Sequence, residues 1–435
     1  MGSYHMKSTL TRTAKNKNVN KLLTRSQALQ LDDEDALKSF RNRFFIPEHN
    51  GKPVAYMVGN SLGLQSKTVK QVLDNELDKW QNLGVEAWFE GTEPWIPYLN
   101  YLKNPLAAIV GATEQEVTIM NSATTNIHLM LASFYQPAGK KSKILTEGGA
   151  FPSDQYAFET HLKLRDFDPD ATVVEIFPRE GEFTLRTEDI IQKIAEIGEE
   201  LALVLMGGIN YYTGQLFDIQ QIAQQAHAVG ALAGFDMAHV VGNVPIQLHD
   251  WSVDFAVWCS YKYLNAGPGA VAGVFVHQNH HHTNLPRLAG WWGYDEATRF
   301  DMAKGFKPML GADGWQVSTP NILSMACHRA SLAIFEEAGM ESLRQKSIAL
   351  TAYLEEIILQ YPEIQIITPS EPSARGAQLS LLVAQDGKQL FEHLKQANIW
   401  GDWREPNCIR LAPAPLYNTF EEVWQVGEAL KAFYR

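Results

Sequence analysis

Cysteine is nearly absent from this sequence: three residues, Cys259, Cys327 and Cys408, occur in a chain of 435. So sparse and odd a set makes no disulfide framework and fits a reducing compartment, with the cytoplasm as the expected location. An apolar run of about 18 residues is also missing, so no membrane-spanning helix is expected. The first residues lack the apolar centre of a secretory signal. Basic residues are outnumbered, 37 Lys and Arg against 49 Asp and Glu, giving a formal net charge of −12. That balance argues against general nucleic-acid binding, which needs basic surface to displace phosphate counterions, but it leaves local basic sites for small anions open.

What is present is the composition of a folded globular chain, 45% hydrophobic and 20% charged. A chain this long is expected to divide into domains. Met1 to His5 reads as a leftover expression scar, and residues 1–21 are expected to be a tag remnant with a loosely ordered, basic continuation. An N-terminal segment over 22–65, a large domain over 66–320 and a small domain over 321–435 are expected to follow. In the large domain, short apolar runs alternate with helical patterns. Lys143–Glu147, Thr172–Phe177, Leu201–Gly207, Leu232–Met237, Phe255–Ser260 and Val271–His277 are the strand candidates. Continuous apolar character marks strands covered on both faces, which predicts an α/β domain built on a mostly parallel sheet. Beyond residue 320, helical stretches with strands at Ile364–Thr368, Leu379–Val383 and Ile409–Ala412 predict a smaller α+β domain.

The residues with chemical potential sit at strand ends. Asp236 closes one apolar run, and Lys262 follows another, 26 residues later. Ligands in α/β sheets bind at the carboxyl edges of strands. A lysine amine and a carboxylate in such a crevice match the needs of pyridoxal 5′-phosphate (PLP), which takes a lysine as a Schiff base and a carboxylate at its ring nitrogen. Spacing alone leaves open two strand-end polar residues with no shared role. Upstream, Asn121-Ser122-Ala123-Thr124-Thr125 opens a helical run, where free N–H groups and the helix dipole suit a phosphate, although an ordinary helix cap reads the same way.

Taken together, these blocks and Gly59-Asn60-Ser61-Leu62-Gly63-Leu64, Phe151-Pro152-Ser153-Asp154, Tyr212-Thr213-Gly214-Gln215, Gly290-Trp291-Trp292-Gly293 and Ile409-Arg410-Leu411-Ala412-Pro413 resemble the kynureninases, from about Val54 to the C-terminal helix. The resemblance implies a fold-type-I PLP enzyme that hydrolyses the β,γ carbon–carbon bond of L-kynurenine to anthranilate and L-alanine. It implies that Lys262 is the Schiff-base lysine and proton carrier, and that Tyr261 beside it is a phosphate ligand and proton donor or acceptor. Asp236 would pair with the ring nitrogen, and His239 would support that carboxylate or the ring. Phe151 would stack on the ring with Asp154 as a polar contact, and Ala123 and Thr124 would hold the phosphate. Arg410 would grip the substrate carboxylate, with Ser61 and Asn60 contacting substrate or closing the cleft. Trp291 and Thr319 resemble residues lent by a second subunit, which implies a homodimer with shared sites. Read without the resemblance, Arg410 in its apolar strand suits a structural role as well as a bidentate carboxylate contact.

Two departures bear on substrate choice. Trp88 and Thr319 stand where animal members carry histidine and asparagine, and both changes remove groups suited to a ring 3-hydroxyl. An indole at residue 88 offers stacking area instead, so L-kynurenine is expected to be preferred over 3-hydroxykynurenine. Gly207 stands where many animal relatives carry serine. The rivals are a cysteine desulfurase or class V aminotransferase, of which the former needs an exposed nucleophilic cysteine, and a metal-binding protein using His277, His280, His281 and His282. That histidine run lacks spaced acidic partners, so no metal is expected.

Overall fold

Residues 24–435 are described by a computed structural model; the expected tag remnant, residues 1–21, lies outside them. The apolar runs form a seven-stranded sheet: β1 (Val117–Ile119), β2 (Lys143–Glu147), β3 (Val173–Ile176), β4 (Leu201–Gly207), β5 (Leu232–Asp236), β6 (Phe255–Trp258) and β7 (Gly273–Val276). Their order across the sheet is β1-β7-β6-β5-β4-β2-β3. Every neighbouring pair from β3 to β6 is parallel, and β7 runs antiparallel to both β6 and β1. Every residue of β4 and β6 is buried, which is why their sequences run apolar without alternation. β1 was not expected: three residues are too few to show a pattern, and the strand exists through its pairing with β7.

Helix α1 (Ala123–Phe134) follows β1, and α2 (Pro152–Lys163) follows β2. Helices Thr187–Ile197 and Ile219–Ala228 also serve the large sheet, the second capped by Asp218, whose carboxylate accepts the Gln221 N–H at 3.0 Å. Apolar clusters cover both faces of the sheet. Helix Ile322–Ala338 adds Met325, Leu332 and Phe335 to one of them.

The C-terminal region has its own core and a four-stranded antiparallel sheet of β8 (Ile364–Ile366), β9 (Leu379–Val383), β10 (Asp402–Arg404) and β11 (Cys408–Leu411), in the order β8-β9-β11-β10. Helices Met340–Ile358, Gly387–Gln396 and Phe420–Phe433 accompany it. The start of the described chain is laced onto this unit. Helix Arg25–Glu34 sets Asp32 on the N–H groups of Phe420 and Glu421, at 2.7 and 2.9 Å. Ala55–Tyr56 pairs in parallel with Ile399–Trp400. The next turn, residues 59–64, is thereby carried to the junction of the two sheets.

Gly234 in β5 is closely overlain by Phe255, whose ring would stand 2.1 Å from a Cβ built there. Phe255 is fully buried and has nowhere to move. Gly234→Ala is therefore expected to cost about 1–3 kcal/mol, read as a lowered denaturant midpoint.

Candidate active site

The strand ends β2, β4 and β5 bring Glu147, Gly207 and Asp236 to one edge of the sheet; Gly207 and Asp236 are direct register partners. Beyond β6 the chain turns to Lys262. Its Nζ has no hydrogen-bond or ion-pair partner among the described residues and lies 5.8 Å from the centre of the Phe151 ring and 5.9 Å from that of Tyr261. The Gly63 N–H donates to the Tyr261 carbonyl at 2.8 Å. A Cβ at Gly63 would meet the Lys262 carbonyl at 2.3 Å, so only glycine lets the 59–64 turn lie against the lysine segment.

Around Lys262 the carboxyl groups divide their protons. Burial, together with the charges of Asp236 and Glu147, pushes Asp154 well above the usual carboxylate range. Asp154 is thus the protonated member and donates to Asp236. Burial also raises Asp236, opposed by the Lys262 charge and by the Ala238 N–H, which donates to Oδ1 at 2.8 Å. Glu147 accepts the Gly207 N–H at 3.1 and 3.2 Å, and burial pushes it up to about 7. A side chain at Gly207 would crowd that carboxyl, with a Cβ 2.9 Å from Oε1. His239 is buried, and desolvation plus the charges of Lys262, Arg410 and Arg404 hold it well below its ordinary pKa, so it is neutral. Asp154 Oδ1 and His239 Nδ1 are buried without a partner among the described residues.

Arg410 lies in β11 opposite Asp402 of β10. Its side chain is 1% exposed. Arg410 Nε donates to Asp402 Oδ1 at 2.6 Å and Nη2 donates to Oδ2; Nη1 donates to the Tyr211 carbonyl at 2.5 Å. Burial alone would raise Asp402, but the hydrogen bond and charge of Arg410 outweigh it and hold the carboxyl low. Ser61 Oγ donates to Asp402 Oδ2 at 2.7 Å. The Tyr211 ring meets Phe151 edge-on at 5.2 Å, linking the arginine to the residue above Lys262. Asn60 is buried, its Nδ2 donating to Gln378 Oε1 at 2.9 Å.

Lys262, Tyr261, Phe151, Asp154, Asp236 and His239 thus gather in one place, with Arg410 and Ser61 joined to them through Tyr211 and Gly63. The remaining sequence-predicted residues lie in separate groups. Ser122 caps α1 without a side-chain cap bond, its hydroxyl being paired with that of Thr125 at 3.0 Å; this leaves the Ala123 and Thr124 N–H groups unclaimed among the described residues. Thr319 is exposed and lines a cavity of about 300 Å³ with Asn121 and Ser122. Trp88 packs against Trp95 and Trp292 at 5.4 and 5.6 Å, and Trp291, 43% exposed, packs against Phe300 at 5.7 Å. Sequence reasoning missed Glu147, Tyr211 and Asp402. Asp402 sits in Gly401-Asp402-Trp403-Arg404, which shows no strand alternation, and only its position across a tight hairpin from Arg410 would have pointed to it.

The rival chemistries find little here. Cys259 and Cys408 are buried and Cys327 is half-buried; burial raises all three thiols, Cys408 to about 11. None is a mobile, ionisable nucleophile. His280 binds Asp254 at 2.7 Å and His281 the Val276 carbonyl at 3.0 Å. Glu116, His249 and His277 stand at metal-ligand spacing, but Glu116 already accepts His249 Nδ1 and the N–H groups of Gln278 and Thr113, each at 2.9 Å.

Glu147 gives a test of these electrostatics. Its folded pKa, about 7, exceeds the ordinary 4.5, so the folded state holds the extra proton between those values. Its contribution to stability is full below pH 4.5 and is lost as pH rises through 7. Glu147→Gln keeps an acceptor for Gly207 and cannot ionise. The variant should flatten the stability–pH profile over that window and gain on the order of 1–3 kcal/mol over the parent at pH 8, measured by denaturant unfolding of cofactor-free protein.

Comparison with known proteins places this geometry. Solved structures of similar shape include cysteine desulfurases from Thermococcus onnurineus (TM-score 0.72, 17% identity, covering 87% of this chain and 94% of that one) and Escherichia coli CsdA (TM-score 0.73, 15% identity, 91% and 98%). The fold is the fold-type-I architecture, a mostly parallel α/β sheet with a smaller C-terminal domain. The profile of the kynureninase C-terminal domain matches residues 343–430. Kynureninase from Flavobacterium psychrophilum is 49% identical over 410 residues, covering 93% of this chain and 96% of that one. Its counterpart from Xanthomonas campestris pv. campestris is 50% identical over 416 residues, covering 94% and 98%. With half of its residues shared across nearly its whole length, the chain belongs to the kynureninase family.

Proposed function

We propose that the group of residues around Lys262 hydrolyses the β,γ carbon–carbon bond of L-kynurenine, giving anthranilate and L-alanine, with PLP held on Lys262. The observation that carries this reading is an unpartnered Lys262 amine set beside an Asp236 carboxylate and within one network of a buried Arg410. The residues fit the cofactor. Lys262 is free to bind its aldehyde, Asp236 to face its ring nitrogen, and Phe151 to cover its ring. Asp154 Oδ1 and His239 Nδ1 are orphaned where a polar ligand would satisfy them, and the Ala123 and Thr124 N–H groups are free for its phosphate.

When bound, PLP supplies an electron-withdrawing ring that makes the bonds to the substrate's Cα and Cβ breakable. Lys262 would hold the cofactor at rest and, once its amine is free, would be the base for the substrate's Cα proton. Asp154, the more strongly raised of the pair, would donate to Asp236 and so favour the ionised form of the carboxyl that would face the ring nitrogen. Arg410 holds the α-carboxylate and so fixes which Cα bond is presented. Burial raises the Tyr261 hydroxyl, so it remains protonated and can donate to the phosphate or to the oxygen of the γ-carbonyl. Water adds at that carbonyl carbon, the Cβ–Cγ bond breaks, and Cβ takes a proton before L-alanine leaves.

A homodimer completes the reading. Exposed Trp291, Phe300, Met302 and Phe89 make an apolar surface, through which a second copy would lend Trp291 and Thr319 to the site. No helix among the described residues is long and apolar enough to cross a membrane, and three free thiols agree with a reducing, cytoplasmic setting.

Two measurements test this. Purified holoenzyme should show a visible absorbance band of the lysine-bound cofactor, abolished in Lys262→Ala along with anthranilate production; a band that survives the substitution refutes the assignment. Trp88 packs against the indoles of Trp95 and Trp292 and offers stacking area in place of a hydrogen-bonding group, so kcat/KM should favour L-kynurenine over 3-hydroxykynurenine by about tenfold or more, a difference of about 1.4 kcal/mol. A clear advantage for the hydroxylated substrate would sink that preference.

A further inference from the structure

We infer that Asp402 is a positioning residue for the reaction: it occupies the side fork of the Arg410 guanidinium and leaves only the end fork for the substrate's α-carboxylate. This rests on the reading of Arg410 as the carboxylate-binding group.

A guanidinium carries five N–H donors in a fixed plane, one on Nε and two on each Nη. Asp402 takes Nε at 2.6 Å and one proton of Nη2, a two-point grip on one edge. Tyr211 takes one proton of Nη1 at 2.5 Å. One proton on each Nη then remains, the pair that a carboxylate arriving end-on would accept. Ser61 Oγ lies 3.4 Å from Nη2, long enough to yield to a better partner. Ser61 spends its own hydroxyl proton on Asp402 Oδ2 at 2.7 Å, so it braces the carboxylate and has no proton left for the substrate.

The arrangement is set by backbone register. Asp402 and Arg410 are direct partners across β10 and β11, and the bonds to Asp402 and to the Tyr211 carbonyl hold the buried guanidinium plane in one orientation. Asp402 also offsets the arginine's charge, with Arg404 Nη2 3.4 Å from its Oδ2 as the second cation nearby. Removing the carboxylate therefore frees the orientation of Arg410 and at the same time removes an anion that competes for it. Alignment of the Cα–H bond should suffer, while attraction for a carboxylate should not.

The test is steady-state kinetics of holoenzyme carrying Asp402→Asn, Asp402→Glu or Arg410→Lys, with L-alanine as the product inhibitor and the cofactor absorbance band as a check on loading. In Asp402→Asn, kcat for L-kynurenine should fall by about tenfold or more, the scale of a misoriented reactant, while KM and the L-alanine inhibition constant stay level or fall. Asp402→Glu, which keeps the charge, should lie between the two and serves if the asparagine variant loads cofactor poorly. An unchanged kcat in both Asp402 variants overturns the inference, as does a parallel rise of KM and the inhibition constant with kcat retained. Arg410→Lys separates the two claims. Unchanged KM there overturns the assignment of Arg410 itself, whereas raised KM there with unchanged kcat in the Asp402 variants overturns only the role of Asp402.

Discussion

Everything at this site depends on how charge is balanced around Lys262. Three carboxyl groups, Glu147, Asp154 and Asp236, stand at the edge of one sheet or the helix beside it, and they cannot all ionise in a space that water barely reaches. Desolvation settles the matter. Asp154 is pushed up furthest from the usual range, Glu147 loses its proton only near neutrality, and Asp236, also raised by burial, is the one pulled back down by the lysine charge, a backbone N–H and the Asp154 hydrogen bond. Desolvation, with the charges of Lys262, Arg410 and Arg404, keeps His239 neutral. Each shift follows from the neighbours, and Asp236 is the carboxyl on which the lysine charge acts most directly.

The second constraint is topological. Arg410 belongs to the small sheet, Tyr211 to the large domain and Ser61 to the turn that the N-terminal strand delivers, yet all three meet around one guanidinium. The parallel pairing of Ala55–Tyr56 with Ile399–Trp400, and the seat of helix Arg25–Glu34 on the C-terminal helix, hold these parts in register. An arginine held by three chain regions keeps this setting only when the two sheets are docked, which ties the proposed carboxylate grip to the integrity of the whole fold.

This also explains what could be read in the sequence and what could not. Asp236 and Lys262 were legible because each directly follows an apolar run, and the strand end is where a parallel sheet presents polar groups. The large sheet was legible for the same reason, since burial on both faces leaves uninterrupted apolar stretches. β10 was not, because Asp402-Trp403-Arg404 is partly exposed along its length and carries no alternation. Asp402 and Tyr211 matter through contacts with residues far along the chain, and no local pattern encodes such a meeting. Family resemblance supplied Phe151, Asp154 and Arg410 as candidates; that Arg410 already has a carboxylate partner is information that only three dimensions hold.

The likeness to cysteine desulfurases sharpens the division between scaffold and chemistry. Structures sharing only 15–17% of residues superpose on most of this chain, so the fold tolerates wholesale change of side chains and does not by itself choose a reaction. Desulfuration needs an ionisable thiol free to move, and here burial raises every thiol while none stands fully exposed. Hydrolysis of a carbon–carbon bond needs instead a free amine, a protonated hydroxyl and a carboxylate grip aligned on one substrate. Lys262, Tyr261 and Arg410 are the groups of this sequence proposed for those tasks, and on the inferred role of Asp402 the edge of the guanidinium left open for a substrate is set by the strand register that pairs Asp402 with Arg410.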